Sequence, residues 1–392
     1  MPAETAKKFD ALERQAQALM SVFTKAGHEA VAPAVIQPAD VFLDAIGEAL
    51  RARTYVFTDP DGAELCLRPD LTVPTCRLHI ARNADPATPA KYCYNGPAFR
   101  FQPQGADETH PREFRQVGIE RFGDTAREAA EAETIALIIS ALNNAGLKDW
   151  SLRLGDLGLF RAVLDAAQLP ARWQTRLGAA FWRQDAFRTE LKRLSTAPAE
   201  RAKRLPPQLL TVLFGSDAEK AEAAVASYLD ARNIEVVGTR SIAEMTEHLR
   251  DMATDAREKP LDAATARLIE NYVAISGPAR SAGEKIAALL KGSKGGTGAA
   301  LDAYDRRLAL LNNAGIDLNR VSFSAEFGRN LEYYTGLVFE VVTPKLGPAS
   351  PVAGGGRYDK LMRAAGAKVD VPAVGAAIHT ERLLQAVSGG RS

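Results

Sequence analysis

The sequence predicts an α+β fold, a mixed and largely antiparallel sheet flanked by helices and interrupted by a mainly helical insertion. Three observations carry this. Segments with two-residue alternation occur in neighbouring pairs, and helices with an apolar stripe stand before and after them. Between Pro170 and Glu270 the chain turns rich in Ala, Leu, Arg and Glu, with few strand signals beyond IEVVG, and β-type sequence then returns. The expected division is residues 1–169 as the first part of a core, 170–270 as the insertion and 271–392 as the second part of the core.

Phe9, Leu12, Ala16, Leu19 and Phe23 recur at spacings of three and four, predicting an amphipathic helix that ends near Gly27. The following VAPAVIQP carries too many prolines for a helix interior and is read as extended. YVFTDPDGAELCL, residues 55–67, is read as a hairpin turning on Asp-Pro-Asp-Gly. Tyr92–Gln102 and Glu113–Phe122 form a second extended pair across a long polar loop. Thr125 and Glu128 make a capping-box pattern ahead of Ile135, Ile138, Ile139 and Leu142, with Gly146 as the stop. After the insertion and a Gly-rich GSKGGTG loop, helical patterning runs to Gly315, and VSFSAEF with YYTGLVFEVVT rejoins the sheet.

Composition narrows the function classes. With 49 Lys and Arg against 48 Asp and Glu, no overall field draws the chain to nucleic acid or an anionic membrane. Neither a leader pattern at the start nor an apolar run long enough for a membrane span is found, so a cytoplasmic, soluble protein is expected. Cys66, Cys76 and Cys93 lack Cys-x-x-Cys spacing, and His28, His79, His110, His248 and His379 are dispersed, so neither disulfides, a metal nor another cofactor is expected.

In EFRQVGIERF, alternation sets Phe114, Gln116, Gly118, Glu120 and Phe122 on one face. Gln116 and Glu120 then stand roughly 13 Å apart with Gly118 leaving space between them. That is either the floor of an amino-acid site or a solvated sheet face with a Gly bulge. Asp70, followed by Thr72 in LRPDLT, can hold an ammonium group or merely cap an exposed turn. Arg329, close before Tyr333 and Tyr334, offers a planar fork for a carboxylate or phosphate beside tyrosine hydroxyls that need partners. AGGGRYDKL lacks the phosphate-loop and dinucleotide fingerprints and is read as a tight, closely packed turn. GSKGGTG lacks the acidic pair of a phosphoribosyl-binding loop and is read as a surface loop.

LRPDLT, YCYNGPAFRFQPQ with EFRQVGIERFG, GRNLEYYTGLVFE, and GGGRYDKL with PAVGAAIHTERLL occur in an order that resembles the core of class II aminoacyl-tRNA synthetases of the histidyl type. The resemblance spans about residues 5–165 and 275–385. It implies a mixed antiparallel sheet flanked by helices, and dimerisation around VAPAVIQP, where Pro33 fits the first class II motif. It places a histidine pocket on Asp70, Thr72, Arg100, Gln116, Glu120, Arg329, Tyr333 and Tyr334, with a Glu in the synthetases where Asp70 stands.

The departures from the synthetase pattern concern ATP and tRNA. Phe99-Arg100-Phe101-Gln102 has a neutral amide where the enzymes have Glu. His379 stands for a glycine three positions before Arg382, and is expected either to obstruct the ATP site or to lie on the surface of the final helix. Gln102, His379 and Arg382 are thus expected to mark a degenerate ATP site, and no anticodon-binding domain is expected. With RPD-L-T for RPE-G-T, the chain resembles the regulatory subunits of ATP phosphoribosyltransferase. That family implies a non-catalytic protein of histidine biosynthesis, partnered with the short catalytic subunit as dimers in a hetero-octamer, with L-histidine as effector and neither tRNA nor a membrane as partner. The alternatives are a histidine-activating enzyme or ligase-like protein without an anticodon domain, and a stand-alone amino-acid-binding module.

Overall fold

The computed structural model describes residues 5–45, 48–181, 183–234, 241–292, 297–328 and 333–388. The chain divides into two compact units, Met1–Ala166 with Tyr272–Ser392, and Ala167–Asn271.

The first unit opens with α1 (Ala6–Lys25), whose N-terminal amides are met by the Thr5 hydroxyl accepting from the Lys8 N–H at 3.3 Å. Leu12, Ala16, Leu19 and Phe23 form its buried stripe, whereas Phe9, one turn from the free end, is 48% exposed. The VAPAVIQP region supplies two short strands, β1 (Glu29–Val31) and β2 (Ile36–Pro38), followed by α2 (Ala39–Ala45) and α3 (Glu48–Arg51). The hairpin is β3 (Tyr55–Thr58) and β4 (Glu64–Leu67), turning where the Asp59 carboxylate accepts from the N–H groups of Asp61 and Ala63. Then come α4 (Thr72–Arg82), β5 (Ala90–Phe99), β6 (Glu113–Phe122), α5 (Arg127–Asn144), β7 (Ser151–Asp156) and α6 (Leu157–Ala166).

Helix α5 does not use the expected Thr125–Glu128 box. It begins later, with Ala126 at the cap, and the Asp124 carboxylate accepts from the Ala126 N–H while pairing with Arg121. The nearby arginine recruits the aspartate and shifts the start.

The second unit holds α7 (Ala171–Ala180), α8 (Gln184–Leu194), α9 (Pro198–Ala202), α10 (Pro207–Gly215), α11 (Ala218–Asp230), α12 (Ile242–Asp255) and the start of α13 (Ala263–Val273). Of its strand-like IEVVG, residues 235–238 lie outside the described residues.

The first unit resumes with β8 (Ser276–Pro278), α14 (Ala279–Leu289), α15 (Thr297–Asn313), β9 (Val321–Ser324), β10 (Leu337–Val342), β11 (Ala353–Arg357), α16 (Leu361–Ala364), β12 (Ala373–His379) and α17 (Thr380–Val387). The centre of GSKGGTG lies outside the described residues. AGGGR, expected as a tight turn, is instead strand β11, paired antiparallel to β10 on one side and β12 on the other. Two complete ladders outweigh the low strand propensity of glycine.

Among the described residues, nine strands form one sheet in the order β1-β5-β6-β12-β11-β10-β7-β9-β8, and β2-β4-β3 form a second. Pairing in the large sheet is antiparallel except β1 with β5 and β7 with β9. Helices α1 and α5 pack against it. The register sets Tyr92, Glu120 and Gly375 abreast, then Tyr94, Gly118 and Ala377, then Gly96, Gln116 and His379. Cross-strand neighbours share a face, so these rows form one floor. No helix among the described residues is long and apolar enough to cross a membrane.

Candidate functional site

The site is assembled where the hairpin delivers the chain into α4. Arg68 donates to the carbonyls of Pro97, at 2.8 Å, and Pro33, pinning the segment that presents Asp70. Asp70 is buried, not exposed on a turn. One oxygen does cap α4, accepting from the Val73 N–H at 3.2 Å; the other accepts from the Tyr333 hydroxyl at 3.4 Å. Burial pushes its carboxyl above the usual range, opposed by Arg100 and these hydrogen bonds.

Arg100 follows β5 and donates to the Pro69 carbonyl at 2.8 Å, with its guanidinium 5.1 Å from the Phe114 ring centroid. On β6, Gln116 and Glu120 face the same way, as alternation predicts. The Gln116 side-chain carbonyl is buried with no hydrogen-bond partner. Glu120 accepts from the Tyr94 hydroxyl at 3.0 Å and from the Tyr358 hydroxyl. Burial, with the like charge of Asp70, raises its carboxyl to about 8 despite these bonds.

The gap expected above Gly118 is filled from within. A Cβ there would lie 2.5 Å from the Tyr94 hydroxyl, which uses the space to reach Glu120. Tyr94, from YCYN, and Tyr358, from GGGRYD, are therefore site residues that alternation on β6 alone does not reveal. The signal for Tyr94 was available: it is the cross-strand partner of Gly118.

Asp70, Thr72, Arg100, Gln116, Tyr333 and Tyr334 line one cavity, with Tyr358 and Gly375. Its volume is about 20 Å³, room for about one water. The buried rings of Tyr333 and Tyr334 lie 4.8 Å apart and Tyr358 stands 5.8 Å from Tyr333, so the aromatic wall is closed. Arg329 lies outside the described residues.

A second cavity of about 380 Å³ lies beside the first, with Arg100 lining both. Gln102, His379 and Arg382 converge there with Arg53 and His110, a strongly basic lining opposed by Glu340. Gln102 accepts from Arg53 and donates to the Pro111 carbonyl. Arg382 donates to the carbonyls of Thr109 and Pro351 at 2.8 and 2.9 Å. His379 is not on the surface of the final helix. It ends β12, is buried, and stacks on Phe114 with centroids 5.0 Å apart.

The family model for histidyl-tRNA synthetase matches residues 4–258 and 243–383. An ATP phosphoribosyltransferase regulatory subunit of Rhizobium rhizogenes is 36% identical over 366 residues, 93% of this chain and 95% of that protein. One of Agrobacterium fabrum is 37% identical, covering 91% and 92% of the two chains. Among solved structures, a protein of Bacillus halodurans described as an ATP phosphoribosyltransferase regulatory subunit/histidyl-tRNA synthetase aligns over 99% of this chain and 82% of its own, with a TM-score of 0.68 at 20% identity. Histidyl-tRNA synthetase from Nostoc aligns over 98% and 73% with a TM-score of 0.63 at 15% identity. At these identities the structures establish a shared fold.

Proposed function

Since the chain belongs to the family of ATP phosphoribosyltransferase regulatory subunits, which share the fold of histidyl-tRNA synthetase, we propose that it is a non-catalytic partner that activates the short catalytic subunit and transmits feedback inhibition by L-histidine. It acts in the cytoplasm, as dimers within a hetero-octamer. The observation that carries this reading is the gathering of Asp70, Gln116 and three tyrosines around one cavity, with the Glu120 carboxyl held behind its wall by the Tyr94 and Tyr358 hydroxyls. In it Asp70 and Glu120 address cationic groups, Gln116 a polar edge, and the tyrosines the imidazole; Arg329 takes the carboxylate.

The pocket is too small for an amino acid as it stands, so binding includes an outward movement of side chains such as Tyr333 and Tyr334. A closed empty state and an open occupied state are the two states an effector needs in order to couple to a partner, typically by about 1–3 kcal/mol. The basic cavity is the remnant of an ATP site, altered by Gln102 and His379.

Mixing the chain with its host's short phosphoribosyltransferase is the decisive experiment. Activity should rise on mixing and fall on adding L-histidine, and the chain alone should transfer no phosphoribosyl group. Calorimetry should show histidine binding at least tenfold weaker in Asp70→Ala, since a buried charge-assisted contact contributes about 1.5–3 kcal/mol. Unchanged affinity would move the effector site elsewhere.

A second reading, a histidine-activating enzyme, is favoured by Arg100 and Arg382 lining a cavity of about 380 Å³. Histidine-dependent pyrophosphate exchange by the purified chain would establish it. His379→Gly tests the imidazole's place: if the ring fills nucleotide space, ATP affinity rises in the variant, and no change would mean the ring does not obstruct ATP.

A further inference from the structure

Glu120 lies on the central strands of the sheet with 0% exposure. Each element around it presents an identifiable group. Tyr94 faces it from β5 and Tyr358 from just beyond β11, both donating hydroxyl hydrogen bonds. Thr72 and Cys76 face it from α4, Thr72 as a hydrogen-bond partner. Asp70, at the entrance to α4, adds like charge. Strand β12 offers only Gly375, where a Cβ would collide with the carboxyl. Among the described residues facing Glu120 there is no cation, and Arg100 acts on Asp70.

An ionised carboxylate in such a place is cut off from bulk solvent and faces no counter-charge among the described residues, and burial accordingly lifts its titration to about 8. The tyrosine hydroxyls favour the anion but do not compensate burial. A cationic group entering the cavity beside Asp70 and Glu120 would reverse the balance, because opposite charges attract far more strongly in a dry pocket than in water. We propose that Glu120 carries a proton while the pocket is empty and surrenders it when a cationic amino-acid group binds, so that effector binding and proton release are one event. The carboxyl O–H bond breaks, its electron pair stays on oxygen, and the proton passes to solvent; the ligand's ammonium keeps its own protons. The proposal rests on the reading of this pocket as an amino-acid site.

The test is calorimetry of L-histidine binding to the full chain at about pH 7.5 in two buffers of different ionisation heat. A group titrating near 8 is largely protonated there, so a substantial fraction of a proton should be released per ligand bound. Glu120→Gln keeps the shape without the ionisation, and its release should fall below that of the wild type to what Asp70 and the ligand supply. An infrared difference spectrum between wild type and E120Q should also show a protonated carboxyl band in the empty protein that vanishes at saturating histidine. Binding without excess proton release, equal release by E120Q, or no carboxyl band would overturn the proposal and leave the pocket reading intact. Absence of histidine binding to the wild type would overturn the pocket reading itself, and the proposal with it.

Discussion

Gly375 and Glu120 share one volume: a methyl group at residue 375 would land on the Glu120 carboxyl and within 2.7 Å of the Ile119 carbonyl oxygen. The absence of a side chain on β12 is therefore what lets β6 carry a buried acid at the row where the two strands pair. Gly375→Ala should lower stability by about 1–3 kcal/mol, the usual cost of overpacking. In an E120A background the closer collision is gone and the Ile119 carbonyl contact remains, so the same change should cost less. Denaturant titrations of the four members of this cycle check it, and additivity within about 0.5 kcal/mol would mean the two residues do not share space. Glu120 also has a sign of its own in the pH dependence of stability. Its folded titration is raised to about 8, so its contribution is full below the unfolded value near 4.5 and is lost as pH rises toward 8.

Elements with a local cause were legible in the sequence. The 55–67 hairpin follows from Asp-Pro-Asp-Gly, and β5 with β6 from alternation on either side of a polar loop. Strand β11 was not, because three glycines acquire strand geometry only from neighbours that are distant in the chain. The insertion carries a similar long-range feature. Asp255, at the end of α12, is fully buried and pairs with Arg172, Arg176 and Arg193, and the Trp173 indole donates to it at 2.6 Å. Burial pulls its carboxyl up, but hydrogen bonds from Arg172, Arg193 and Trp173 hold it below the ordinary aspartate range. Such a group stabilises above its unfolded value, and that stability is lost as pH falls through its folded value. Asp255→Ala leaves three guanidinium groups around an empty place and should cost about 3–5 kcal/mol. Tryptophan fluorescence during urea unfolding measures the loss near pH 7, and the acid-induced loss below about pH 4 should be smaller in the variant. Equal stability of wild type and variant near pH 7 would show that the ion cluster is replaceable.

For the whole molecule, the motif order exposed the synthetase-like architecture, and most of the expected pocket residues do lie around one cavity. What the sequence hid was occupancy: whether the space above Gly118 and around Glu120 is open depends on Tyr94 from β5 and Tyr358 from just beyond β11. Assembly turns on a feature of the same long-range kind. In the small β2-β4-β3 sheet, Ile36 lies opposite Leu67, itself opposite Tyr55, and Pro38 opposite Leu65, itself opposite Phe57. These residues form an apolar face on which Ile36 is 52% and Phe57 38% exposed, with Phe101 39% exposed beside Tyr55. On the opposite face Gln37 and Cys66 are buried, and Val56 at its edge is 41% exposed. A face of this kind costs free energy in water and is the natural seat of the proposed self-association. A stable dimer buries roughly 800 Å² per partner, and a charge placed at the centre of such a patch must be desolvated without a counter-charge. The wild type should sediment as a dimer and the double variant Ile36→Asp with Phe57→Asp as a monomer at the same concentration, with an unchanged circular dichroism spectrum. If both proteins sediment alike, the apolar face is not where two copies meet, and the remaining candidate to cover it is the catalytic partner, whose activation the same variant would then abolish.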